Sequence, residues 1–152
     1  MRVLVVDDEP LIAASIEWEL RDAGHEVLGP AYRVEDALAL AAAAGAQIDL
    51  ALVDINLAGH DEGVGLARAL SRRFGVPSVF VTGQVAQARS NRDAALGVVQ
   101  KPFPHDGLLK VLPVAKELAG GGRPRKIPSW FEVFGDPTRP QRGAAAALRA
   151  TV

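Results

Sequence analysis

Five short, almost wholly apolar segments recur along the first 119 residues, at 2–6, 26–32, 48–54, 77–82 and 97–100, and each is followed by a stretch of helical or mixed pattern. Pro10 opens the first helical stretch, which Leu11, Ile12, Ser15, Ile16, Trp18 and Leu20 carry to Gly24. Residues 35–44 are alanine-rich and end at Gly45, and in 61–74 Val64, Leu66, Ala67, Leu70 and Phe74 fall at helical spacing. Residues 85–93 are short and poorly periodic, and 105–118 read as the last helix. Segments apolar along their whole length suit strands buried on both faces, and strands alternating with helices suit a parallel sheet. The expectation is an α/β, doubly wound, five-stranded parallel sheet with helices on both faces.

Composition refines this reading at one place. The chain of 152 residues is 49% hydrophobic, enough for one sizeable core, and its formal charge of −1 excludes a strongly basic nucleic-acid binder. That charge is unevenly spread. Residues 1–119 carry 11 Lys/Arg against 16 Asp/Glu, and residues 120–152 carry 6 against 2. The seam is Gly120-Gly121-Gly122. Three parts are therefore expected: a domain at 1–119, a Gly/Pro/basic linker at 120–128, and a C-terminal tail at 129–152. In that tail Ser129-Trp130-Phe131-Glu132 has the spacing of a capping box, which predicts a short helix with Trp130, Phe131 and Phe134 on one side. An alanine-rich stretch at 143–150 reads as helical too. Such an aromatic cluster needs burial, either against its own domain or against a second subunit or partner. There is no cysteine, which removes disulfides and thiol chemistry. The start reads as neither signal peptide nor membrane span, so a cytoplasmic protein is expected.

In sheets of this kind ligands bind beyond the carboxyl ends of the strands. Here those ends carry Asp7 and Asp8, Asp54, Thr82 and Lys101. Each alone has an ordinary explanation as a turn, a cap or a helix-dipole acid. Together they place three carboxylates, a hydroxyl and an amine on one rim. Crowded carboxylates need raised pKa values or a cation, and an oxygen-only donor set suits Mg²⁺, with Mn²⁺ as an alternative. A cation beside a lysine and a hydroxyl can cage a phosphoryl group, and an aspartate can itself take up phosphate as an acyl phosphate.

The sequences Val5-Val6-Asp7-Asp8-Glu9-Pro10, Leu52-Val53-Asp54-Ile55-Asn56-Leu57, Phe80-Val81-Thr82-Gly83 and Gln100-Lys101-Pro102-Phe103 resemble, in order and spacing, the receiver domain of bacterial response regulators. The resemblance covers about residues 1–119. It implies a flavodoxin-like strand order of 2-1-3-4-5 and phosphorylation of Asp54 by the phosphohistidine of a sensor kinase or a histidine phosphotransferase. It implies Mg²⁺ held by Asp7, Asp8, Asp54 and the backbone carbonyl of Asn56, with Thr82 and Lys101 binding the phosphoryl oxygens. The domain would catalyse only its own phosphorylation and dephosphorylation. Phe80-Val81-Thr82-Gly83 is also similar to the Phe-Ala-Thr-Gly signature of an alphaproteobacterial subgroup, from which Val81 and Gln84 depart.

Other positions depart from the family pattern. Ala58 stands where many receivers have proline, and Gly59-His60-Asp61-Glu62-Gly63 reads as a longer, more mobile loop over the site. Val98 stands where many carry an aromatic that moves with the threonine. Asn56 and Gln84 flank the site and are candidates to orient a hydrolytic water. A tail of 33 residues is too short for a separate DNA-binding domain. The reading is a stand-alone phosphorelay receiver of the two-component type that signals through a downstream protein partner or passes the phosphoryl group on. The alternative is a constitutive dimerisation or interaction module acting through the tail, with phosphorylation secondary.

Overall fold

Side chains alternate across the central strands with period two, and this alternation divides the core. In a computed structural model, which describes residues 1–44 and 47–135, β1 (Arg2–Val6) sends Leu4 and Val6 to one side and Val3 and Val5 to the other. β3 (Leu50–Val53) and β4 (Ser78–Thr82) repeat the pattern. Ala51, Val53 and Phe80 join Leu4, while Leu50, Leu52, Val79 and Val81 join Val3. The first cluster is closed by α2 (Val34–Ala44) and α3 (Glu62–Phe74). The second is closed by α1 (Pro10–Asp22) and α5 (Gly107–Ala119). β2 (Glu26–Ala31), β5 (Gly97–Gln100) and the five-residue α4 (Val85–Arg89) complete the expected set.

Strands β2-β1-β3-β4-β5 lie in that order and pair in parallel, as the α/β reading requires. α3 ends where the sequence says it should, at Gly75 in the left-handed conformation at φ 67°.

The tail corrects the sequence reading. Residues Phe131–Val133 form a sixth strand, β6, antiparallel to β5, with Gly97 opposite Val133 and Val99 opposite Phe131. The expected capping-box helix at 129–132 is absent. Ser129 and Trp130 form a turn in which the Phe131 N–H donates to Pro128 O at 3.0 Å. The strand wins because β5 offers an open edge and because Phe-Glu-Val alternates apolar and charged side chains at strand period. Phe131 is buried with the α1/α5 cluster and Phe134 with the α2/α3 cluster, so the aromatics face opposite sides of the sheet. Gly97 permits the pairing. A Cβ there would collide with the carbonyl oxygen of Glu132 and the ring of Phe131. Trp130 donates its indole N–H to Gly107 O at 3.0 Å, and the Arg89 guanidinium forms a two-pronged ion pair with Glu132. The folded unit therefore runs beyond residue 119 to the end of the described residues. The helix expected at 143–150 lies outside the described residues.

Candidate functional site

The sheet delivers its polar groups at one rim because each inner strand ends where its apolar run ends. β1 runs into Asp7 and Asp8, β3 into Asp54, β4 terminates on Thr82, and β5 leads to Lys101. Backbone bonds fix the order of the rim. The Asp54 N–H donates to Val6 O at 2.9 Å, and the Lys101 N–H donates to Thr82 O at 3.0 Å. Gly63, at the start of α3, lies so close to the chain at Asp54 that a Cβ would overlap the Asp54 carbonyl. Only glycine lets the helix begin there, directly behind the aspartate.

Lys101 joins the acids. Its ammonium donates to Asp7 Oδ2 at 2.7 Å and to Asp54 Oδ2 at 3.0 Å, and Glu9 Oε1 lies 3.5 Å away. Asp7 is 2% exposed and Asp54 5%. Burial pushes the Asp7 carboxyl above its ordinary range, an effect only partly offset by the bond from Lys101 and by the Glu9 N–H, which donates to Asp7 Oδ1 at 2.9 Å. Burial works to lower the Lys101 pKa, but the bonds the ammonium donates to Asp7 and Asp54 outweigh it, so it is held above its usual value. Asp8 accepts the N–H of Ala58 on Oδ2 at 3.0 Å. Thr82 is buried, and its hydroxyl accepts the Gln84 N–H at 3.1 Å.

These groups line a cleft of about 390 Å³ bounded by Asp8, Glu9, Asp54, Asn56, Thr82, Gly83, Gln84 and Lys101. Asp7 is connected to this lining through its ion pair with Lys101. All of the residues singled out from the sequence thus meet at one place. Glu9, which the sequence reading did not place among the site residues, joins them. Carboxylate oxygens of Asp7, Asp8, Glu9 and Asp54 lie within 4.8 Å of one another. An all-oxygen cluster of this kind fits a hard divalent cation in donor type. Four carboxylates against one ammonium also leave a charge deficit that such a cation would fill. Asn56 Oδ1 is a further buried oxygen without a hydrogen-bond partner.

The loop after Asp54 contains a closed turn. The Leu57 and His60 backbones exchange hydrogen bonds of 2.9 and 3.1 Å, closing a two-residue turn around Ala58 and Gly59. Among the described residues no helix is long and apolar enough to cross a membrane.

Comparison with known proteins agrees with this geometry. Residues 3–113 match the response regulator receiver domain family. Transcriptional regulatory protein AruR of Pseudomonas aeruginosa is 41% identical over 85 residues, which are 55% of this chain and 34% of AruR. The chain thus spans about a third of that relative's length. The crystal structure of the receiver domain of NtrX from Brucella abortus is 31% identical with a TM-score of 0.68, covering 76% of this chain and 98% of that one. The response regulator TrrA of Thermotoga maritima, solved in complex with Mg²⁺-BeF, is 30% identical with a TM-score of 0.64, covering 75% and 97%. Receiver domains are phosphoryl-accepting signalling domains of two-component systems. On the match over residues 3–113, this chain belongs to the response regulator receiver domain family.

Proposed function

We propose that the protein accepts a phosphoryl group on Asp54 from a phosphohistidine of a sensor kinase or a histidine phosphotransferase, with Mg²⁺ held by Asp7, Asp8, Asp54 and the Asn56 carbonyl. The observation that carries the reading is the Lys101 ammonium shared by Asp54 and Asp7 in a cleft that Thr82 also lines. An Asp54 carboxylate oxygen forms the new O–P bond as the donor's P–N bond breaks, and the leaving imidazole keeps the electron pair and takes a proton. Lys101 and Thr82 then supply a positive charge and a hydroxyl to the phosphoryl oxygens, which otherwise meet a rim of carboxylates. Bound Mg²⁺ supplies the remaining positive charge on the transferring group. TrrA, a relative in fold and sequence, is known with Mg²⁺-BeF, and this chain's donor set fits the same ion.

The donor must reach Asp54 past the Lys101 side of the cleft. There Leu11, Ile12 and Ile16 of α1 and Pro102, Phe103 and Pro104 form the apolar part of a groove beside Lys101 that Glu9, Glu19 and His105 also line. Leu11 is 87% exposed and Trp18 66%, and with Ala14 and Ser15 they form an uncharged stripe at helical spacing. This stripe suits the helix that carries the donor histidine. Output passes to a downstream protein partner or by onward transfer, and we place the chain in the cytoplasm. A dimer arm built from Phe131 and Phe134 would first have to leave the sheet in which both are buried. That favours phosphoryl acceptance over constitutive dimerisation.

With Mg²⁺ and acetyl phosphate, the wild-type protein is expected to gain a single phosphoryl group by intact mass. Asp54→Asn is expected to gain none. Equal labelling of the variant would remove Asp54 from this role.

A further inference from the structure

The turn after Asp54 carries an unusual backbone. Ala58 has φ 53° and Gly59 φ 81°, the pair of positive values that a type I′ turn requires. Glycine adopts such values at little cost, but alanine pays steric strain. Something must hold Ala58 there. Two sets of bonds do so. The Leu57–His60 pair closes the turn. The Ala58 N–H, turned outward by the positive φ, donates to Asp8 Oδ2 at 3.0 Å across fifty residues of sequence. Asp8 is one of the four acids whose oxygens gather at the rim.

We propose that the Ala58 amide is a positioning group for the metal site, orienting the Asp8 carboxylate before the cation arrives. The inference rests on the reading of Asp8 as a Mg²⁺ ligand. Asp8 follows the end of β1 and is only partly buried, so without an external donor its side chain could sample several rotamers. A charge-assisted bond to a rigid backbone amide removes that freedom and leaves the carboxylate aimed into the cleft. The device demands two properties of residue 58: an N–H and a tolerance of positive φ. Proline has neither, because its nitrogen carries no hydrogen and its φ is fixed near −65°. A proline at this position would require a differently shaped loop and could not make the contact. The alanine is therefore part of how this chain builds its site.

The test uses the full chain and Mg²⁺ alone, titrated by calorimetry and by amide resonances, with no phosphodonor present. Ala58→Pro is expected to weaken Mg²⁺ binding about 10–100-fold, the usual cost of losing a hydrogen bond that orients a metal ligand. Ala58→Gly keeps the N–H and relieves the strain, and is expected to bind as tightly as wild type or tighter. In metal-free protein, hydrogen exchange at the Ala58 amide is expected to accelerate about tenfold in Asp8→Ala, the factor for losing one charge-assisted bond. This measurement stands whether or not Ala58→Pro folds well. Wild-type affinity in a folded Ala58→Pro variant, or unchanged Ala58 exchange in Asp8→Ala, overturns the inference. Failure of the wild-type protein to bind Mg²⁺ would instead overturn the reading of the site.

Discussion

Replacing Phe134 with alanine is expected to lower the stability of the domain by about 3–5 kcal/mol, and Phe131→Ala by a similar amount. Both rings are nearly fully buried, at 2% and 3% exposed, one on each side of the sheet. Each substitution opens a cavity between β5 and a helix layer. Phe134 also anchors the strand end through its N–H to Leu96 O at 2.9 Å and lies beneath the Arg92 guanidinium, 5.0 Å from the ring centre. Trp130 is only half-buried, so Trp130→Ala is expected to cost less than either phenylalanine. Urea unfolding followed by circular dichroism measures all three. A loss below about 1 kcal/mol in both phenylalanine variants, the size of an ordinary surface change, would show that β6 is an appendage rather than part of the domain.

The second large effect concerns charge. Lys101 is the one ammonium among the rim carboxylates in the described residues, and its partners Asp7 and Asp54 are buried. In chelated buffer, Lys101→Met keeps the aliphatic stem and leaves those carboxylates without their cation. A loss of about 3 kcal/mol is expected at neutral pH, toward the low end for a broken buried pair because the lysine is partly exposed. The pH dependence has a definite sign. Asp7 is already held above its ordinary value of 3.8, so its proton is bound more tightly in the native state than in the unfolded chain. Such a group contributes stability that is fully present below the unfolded pKa and lost as pH rises through the native one. Without Lys101 the native value rises further. The deficit of the variant relative to wild type is therefore expected to be small in acid and to grow from about pH 4 toward neutrality. At the alkaline end the wild-type protein alone has more to lose. The Lys101 pKa is held above 10.5, so its contribution is full below that value and disappears as pH passes the native pKa. Denaturation midpoints of both proteins across pH check this. A deficit that is constant with pH, or largest in acid, would contradict the charge assignment.

Much of the site was legible because the information is positional. A strand that runs apolar and then ends in a carboxylate, a hydroxyl or an amine, four times over in one parallel sheet, places those groups at one rim with no knowledge of tertiary contacts. Asp7, Asp54, Thr82 and Lys101 are all of this kind. Glu9 was harder to assign, since an acid before Pro10 is equally a helix-dipole residue until Lys101 is seen 3.5 Å from it. The tail was misread for a physical reason. Three residues, Phe131–Val133, give too little length to distinguish period two from a helical turn, and Ser129 with Glu132 supplied a helix signal. The deciding feature was the bare backbone at Gly97, which means nothing until a neighbouring strand lies against it. The contact made by the loop at Ala58 was not legible either, because nothing in the sequence pairs the alanine N–H with Asp8, fifty residues away.

The central claim is that Asp54 takes the phosphoryl group. Acyl phosphates of aspartate are reduced by borohydride to homoserine, whereas free carboxylates are not. Protein treated with Mg²⁺ and acetyl phosphate, reduced and digested, should therefore carry homoserine at position 54 and aspartate at positions 7 and 8. Homoserine at 7 or 8, or unreduced Asp54 in protein that has gained a phosphoryl group, would contradict the account.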